Sequence, residues 1–258
     1  MKRAPLSLAT VRQGAAGAAL LAISAVSWVF LIASERAMAA MSGTGLIDRL
    51  MLAMMQPSAM LPYLAATALM WLVMMVAMMV PAVLPMVMVY RGIYRGVDRG
   101  LATASFVSGY FAAWGAFALL AALGQWWLHA QGLLYGMRLA ASAQVAAVLF
   151  VVAGLYQLSP FKEACLARCR SPLGFFMADW RDGLRGAFAM GARHGLYCIG
   201  CCWLLMVLMF AGGAMSVLVM AALAALIVAE RLLPGGPWPA RVPGVALIVL
   251  GTVTWWQA

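Results

Sequence analysis

Seven long runs without a single Asp, Glu, Lys or Arg divide this chain, at about residues 14–34, 60–90, 100–127, 139–159, 196–213, 214–229 and 242–257. Each of the first five reaches, or nearly reaches, the roughly 20 residues that a helix needs to cross bilayer hydrocarbon. The last two are shorter, at about 16 residues apiece. Only 9% of the 258 residues are charged and 66% are hydrophobic, where a soluble domain runs at about 25% and about 45–50%. Seven acids and seventeen bases cannot clothe a water-soluble globule of this size. Disorder, collagen, a secreted disulfide scaffold and an ordinary cytosolic enzyme are excluded. A spanning barrel would read as short alternating segments, and none occur. The expectation is an all-α, polytopic helical membrane protein forming one domain over residues 1–258.

Punctuation and charge then set the arrangement. Gly212-Gly213 reads as a tight hairpin, and Pro234-Gly235-Gly236-Pro237-Trp238-Pro239 as a non-helical separator. With the N-terminus inside, the inner segments carry Lys2, Arg3, Arg12, Arg91, Arg95, Arg99, Lys162, Arg168, Arg170, Arg181, Arg185, Arg193, Arg231 and Arg241. The outer segments carry only Arg36, Arg49 and Arg138. This bias fits about seven spans with the N-terminus cytoplasmic and the C-terminus outside, in a bacterial inner (cytoplasmic) membrane. Ala37-Met38-Ala39 resembles a signal cleavage site, but the preceding apolar stretch is longer than a signal core and Glu35-Arg36 intervene. An uncleaved first helix is expected.

No ionisable residue falls in the middle of a run, which argues against a proton-coupled antiporter. Glu230 beside Arg231 reads as an interface pair. Cysteine is more informative. All five (Cys165, Cys169, Cys198, Cys201 and Cys202) lie within 38 residues, with His194 among them. On the expected topology they sit in or beside a cytoplasmic segment over 160–193, where thiols stay reduced. Clustered reduced thiols beside a histidine point to metal or redox chemistry. On one helix His194, Cys198 and Cys201 stand at i, i+4 and i+7, so with Cys202 they form one stripe that Met190 and Leu205 extend. Cys165 and Cys169 are likewise i and i+4, on a short helix that Ser159-Pro160 would open. Soft sulfur donors favour Cu(I), with zinc as the alternative. The competing reading makes these cysteines small apolar residues filling a helix contact.

Methionine is the second anomaly, with eleven of the 21 between residues 51 and 88. In the second run Trp71, Met75, Met78 and Ala82 share one face, flanked by Met70 and Met74. Neutral thioethers can bind Cu(I) in hydrocarbon without burying charge; as packing, Met is equally at home there. Pro81 and Pro85 would loosen that helix and free carbonyls. Residues 172–193 read as an amphipathic surface helix through Leu173, Phe176, Trp180, Leu184 and Phe188. His129, after Trp126-Trp127-Leu128, reads as an interface anchor. No phosphate loop, catalytic triad or nucleic-acid signature is present.

The run from Met190 to Met206 (MGARHGLYCIGCCWLLM) resembles the hallmark of a family of predicted metal-binding integral membrane proteins, domain of unknown function 2182. The stretch Trp71–Pro81 with Pro85, the run Tyr156–Lys162 leading to Cys165 and Cys169, and Glu230-Arg231 are similar to that family's other segments. The resemblance covers roughly residues 60–250 and implies metal binding without an established substrate.

The leading expectation is Cu(I) handling, by transport or by delivery to a membrane metalloenzyme. Its metal ligands are drawn from His194, Cys198, Cys201, Cys202, Cys165, Cys169, Met75 and Met78. The partners expected are the lipid bilayer, the metal ion and a metallochaperone or metalloenzyme, with no nucleic acid and no catalytic residue assigned. Two alternatives stay open: a thiol–disulfide protein using Cys198 and Cys201, and a non-catalytic assembly subunit.

Overall fold

The computed structural model describes residues 8–40, 45–96, 98–136, 138–233 and 238–258. In chain order the elements are α1 (Leu8–Ala40), α2 (Leu46–Met54), α3 (Met60–Ile93), α4 (Arg99–Ala130), β1 (Leu134–Tyr135), β2 (Ala140–Ala141), α5 (Ala143–Gln157), α6 (Pro160–Arg170), α7 (Pro172–Asp179), α8 (Gly183–Val207), α9 (Met209–Gly212), α10 (Val217–Leu232) and α11 (Trp238–Gln257). The described residues are all-helical in their regular structure apart from the small antiparallel hairpin β1–β2. Among the described residues, four helical stretches are long and apolar enough to cross a membrane: Gly14–Ala40, α3, α4 and Gly183–Gly212. A fifth arises if α5 and α6, bent by 64° at their junction, count as one broken span.

Several boundaries differ from the sequence expectation. The run at 139–159 is helical only from Ala143, because its first residues pair as β2. The fifth run is carried by α8, which begins thirteen residues earlier, at Gly183, and then by the short α9. Residues 172–193 are therefore not one amphipathic helix. Its stripe is divided at Trp180–Asp182, where Asp182 turns extended as the N-cap of α8 and Gly183 adopts φ +77°, a left-handed conformation that only glycine takes without strain. Phe176 is buried on the α7 side of the break, whereas Leu173 is 60% exposed. Trp238 and Pro239 open α11 instead of preceding it, which the first turn of a helix tolerates in proline. The remaining separator, 234–237, and the inner-segment cations Lys2 and Arg3 lie outside the described residues, as does the side chain of Arg12.

Two local solutions hold the core around α3 and α8. Pro81 has no N–H to offer the carbonyl of Ala77 one turn earlier. Two donors on α1 take that carbonyl instead: the Ser24 hydroxyl at 2.8 Å and Trp28 Nε1 at 3.2 Å. Proline thus stays inside a continuous 34-residue α3, because a neighbouring helix satisfies what it frees. The second solution is the α4–α8 contact, in which the helices run parallel, with Ser105 against Leu184 and Tyr110 against Cys198. A Cβ at Gly191 would meet the Phe106 carbonyl, and one at Gly109 the Phe188 carbonyl. Glycine at these two positions lets the backbones touch, the small-residue device of helix pairing in apolar media.

Candidate metal centre

The close approach of α4 and α8 sets the His194–Cys198–Cys201 stripe against α4, and α3 and α10 complete its surroundings. His194 and all three cysteines of α8 are buried. Cys198 lies at the centre. The Tyr110 hydroxyl of α4 stands 2.9 Å from its sulfur, and the Met79 thioether of α3 stands 4.0 Å from it. From the last turn of α10, Arg231 Nη2 donates to Cys198 Sγ at 2.6 Å and to Cys201 Sγ at 3.5 Å. The Cys201 and Cys202 thiols also donate to the carbonyl of Cys198, at 3.1 and 3.0 Å.

The α6 cysteines join from the side. Ser159 caps α6 by accepting from Lys162 N, with Pro160 in its first turn, the start that Ser-Pro predicts. Cys165 packs over Gly200, where a Cβ would come within 2.8 Å of its sulfur. Cys169, one turn on, lies near enough to Cys201 for the two sulfurs to influence each other's charge. Both remain partly exposed, unlike the α8 thiols. All five cysteines are free thiols.

His194 sits among aromatic rings, with centroids 5.3 Å from Phe175, 5.7 Å from Tyr110 and 6.5 Å from Phe106. Its Nδ1 is buried with no hydrogen-bond partner. Buried polar atoms normally find partners, and among the described residues this nitrogen has none. Among the described residues, no three His, Cys, Asp or Glu side chains stand arranged as a ready metal cage. What the geometry offers is a low-coordinate sulfur pair: Cys198 and Cys201 within reach of one guanidinium nitrogen, with a thioether beside Cys198.

Met75 and Met78 are fully buried in α3, but the thioether against Cys198 is Met79. Met75 lies one turn before it, and Met78 is rotated by about 100° around the helix. The charged groups differ further from the sequence reading. Glu230 does not pair with Arg231. Its carboxylate accepts from Lys162 Nζ and from Gln157 Nε2, both at 2.7 Å. Lys162, counted among the loop cations, is only 1% exposed, and Glu230 only 2%. Arg170 Nε donates to the Glu230 carbonyl at 2.7 Å. Sequence reasoning missed Met79, Tyr110 and the burial of Lys162 and Arg231. The one available signal was the spacing of Glu230-Arg231 at the end of an apolar run. His129 Nδ1 lies 3.2 Å from the Tyr63 hydroxyl, partly buried at the far end of α4.

A profile of the PpoB2 copper chaperone family matches residues 68–254. The chain belongs to that family. The match runs from the methionine-rich part of α3 through nearly all of α11, so it takes in every cysteine, His194, Met79, Glu230 and Arg231. No curated protein and no solved structure matches the chain. Copper handling in general follows from the family; the residues that perform it are argued from the geometry.

Proposed function

We propose that the protein carries Cu(I) within a membrane, bound by Cys198 and Cys201, and passes it between a thiol-rich entrance on α6 and the methionines of α3. The observation that carries this reading is the Cys198–Met79 contact at 4.0 Å in a fully buried setting. Thiolate and thioether are the soft donors that select Cu(I) over hard ions. A thioether also accepts the ion without adding charge to an apolar interior.

The partly exposed thiols Cys165 and Cys169 meet an incoming carrier first. Cys169 hands the ion to the neighbouring Cys201, and the Cys198–Cys201 pair holds it with loss of the thiol protons. Cys202 and the free Nδ1 of His194 supply the neighbouring donors for stepwise exchange, so one bond forms before another breaks. Met79, and beyond it Met75 and Met78, receive the ion for delivery or transport. The excess of Lys and Arg on one set of segments supports an arrangement of seven crossings, with α10 and α11 as the short ones and the sulfur cluster opening inward. A bacterial inner membrane and a metallochaperone or metalloenzyme partner complete this reading.

The test is metal content of the detergent-purified full chain, expressed with copper or with zinc. The comparison is a His194→Ala/Cys198→Ala/Cys201→Ala variant. About one Cu per chain, lost in the variant, is the expected result. No metal in either protein, with thiols that oxidise reversibly, would instead favour thiol–disulfide exchange.

A further inference from the structure

The cluster contains a cation that the copper site as drawn above does not use. Arg231 is 8% exposed; among the described residues its Nε and Nη1 have no hydrogen-bond partner, and its Nη2 donates to the sulfurs of Cys198 and Cys201. The adjacent acid is not available to it, because Lys162 and Gln157 occupy both oxygens of Glu230. Lys162 and Glu230 therefore cancel, and the guanidinium remains as one uncompensated positive charge aimed at two thiols.

We propose that Arg231 is the specificity-determining residue of this site, a fixed counter-charge that makes the Cys198–Cys201 pair selective for monovalent soft cations. This role rests on the reading of Cys198 and Cys201 as the metal-holding pair. Two thiolates with Cu(I) or Ag(I) carry a net charge of −1, and Arg231 brings the buried assembly to zero. The same two thiolates with Zn(II) are already neutral, so Zn(II) leaves Arg231 as uncompensated as it is beside two protonated thiols, and only the monovalent ion relieves that buried charge. Zinc also seeks four ligands. The thioether of Met79 adds a donor but no charge, and the Tyr110 hydroxyl can hydrogen-bond the sulfur without altering the sum. Selectivity thus lies in a residue that never touches the metal.

The experiment measures, on the detergent-purified full chain, Cu(I) affinity against bathocuproine disulfonate and Zn(II) affinity against a chromophoric zinc chelator. The proteins are the wild type, Arg231→Gln, Arg231→Met, Arg231→Lys and Cys198→Ala/Cys201→Ala. In both neutral variants the ratio of Cu(I) to Zn(II) affinity should fall by at least about tenfold, mainly through weaker Cu(I) binding. Arg231→Lys should keep the ratio close to that of the wild type. A general loss of structure would weaken both metals together and leave the ratio unmoved. An unchanged ratio in the neutral variants, with their Zn(II) affinity still at the wild-type level and thiol-dependent Cu(I) binding intact in the wild type, overturns the role of Arg231 alone. Wild-type binding that the double cysteine variant retains overturns the metal-holding pair itself.

Discussion

Glu230 and Arg231 are consecutive in the chain, yet they serve different partners on different helices. Glu230 closes an ion pair with Lys162 at 2.7 Å, and Arg231 reaches Cys198 Sγ at 2.6 Å. Successive residues of a helix point about 100° apart, so one acid–base dipeptide at the end of α10 can brace α6 with one side chain and face α8 with the other. The Glu230 pair anchors the end of α10, and that anchoring fixes where Arg231 points. Structure and chemistry are coupled through two adjacent side chains.

Breaking the anchor should be costly. Glu230→Gln leaves the Lys162 ammonium buried without a carboxylate, and removing one partner of a buried pair costs about 3–5 kcal/mol. Unfolding of the detergent-solubilised protein should register that loss. The double variant Lys162→Met/Glu230→Leu should recover most of it, since it leaves no orphaned charge. A Glu230→Gln protein within about 0.5 kcal/mol of the wild type would mean that the pair is solvated.

The α4–α8 contact gives a second prediction. Gly191→Ala places a Cβ on the Phe106 carbonyl, so the helices must separate, at a cost of about 1–3 kcal/mol. Gly124→Ala, on the same α4 but with nothing within 4 Å, should be neutral or slightly stabilising. Melting temperatures of the two variants should therefore move apart, and equal values would refute the close approach.

Methionine exchange separates packing from function. Leu for Met conserves volume and costs less than about 1.5 kcal/mol, so Met75→Leu, Met78→Leu and Met79→Leu should all fold. Release of Cu(I) to an external chelator, followed by stopped flow, should change by about three- to tenfold in Met79→Leu, the equivalent of about 1 kcal/mol. The other two should change less. Three identical traces would assign the whole stripe to packing.

Proton competition supplies a further check. Thiols must lose their protons to bind metal, so a rise in proton concentration favours the metal-free state. Cu(I) affinity should therefore fall as pH is lowered. Replacing Cys198 and Cys201 by Ser should flatten that dependence, because fewer protons are then exchanged. A slope that survives the replacement would place the ligands elsewhere.

What could be read from the sequence divides along physical lines. Helix existence and the alignment of His194, Cys198 and Cys201 follow from apolar runs and from the 3.6-residue period, which are local properties. The free-carbonyl consequence of Pro81 was equally local, although the donors that take it up, Ser24 and Trp28, were not. The fate of each charge was not legible. Lys162 looks like a loop cation because nothing nearby marks it as buried; its partner lies 68 residues away. Arg231 finds its sulfur 33 residues back and Cys198 its thioether 119 residues back. One-residue choices such as Met79 over Met78 depend on the rotation of α3 against α8, which periodicity leaves undetermined. The break at Trp180–Asp182 was missed because the apolar stripe of 172–193 keeps a helical spacing across a residue with positive φ.

The Ala77 carbonyl permits a test of how proline is tolerated in α3. Two donors from α1 occupy the acceptor that Pro81 leaves open, so Ser24→Ala/Trp28→Phe exposes a buried carbonyl with no partner. An unsatisfied buried group of this kind costs about 1–3 kcal/mol. In a Pro81→Ala background the new N–H at position 81 can take the carbonyl, and the same double substitution should then cost clearly less. The cycle isolates the coupling between α1 and the proline, because each single change is measured against both backgrounds. Equal penalties in the two backgrounds would mean that Ser24 and Trp28 contribute through packing alone, and that α3 accommodates Pro81 without help from α1.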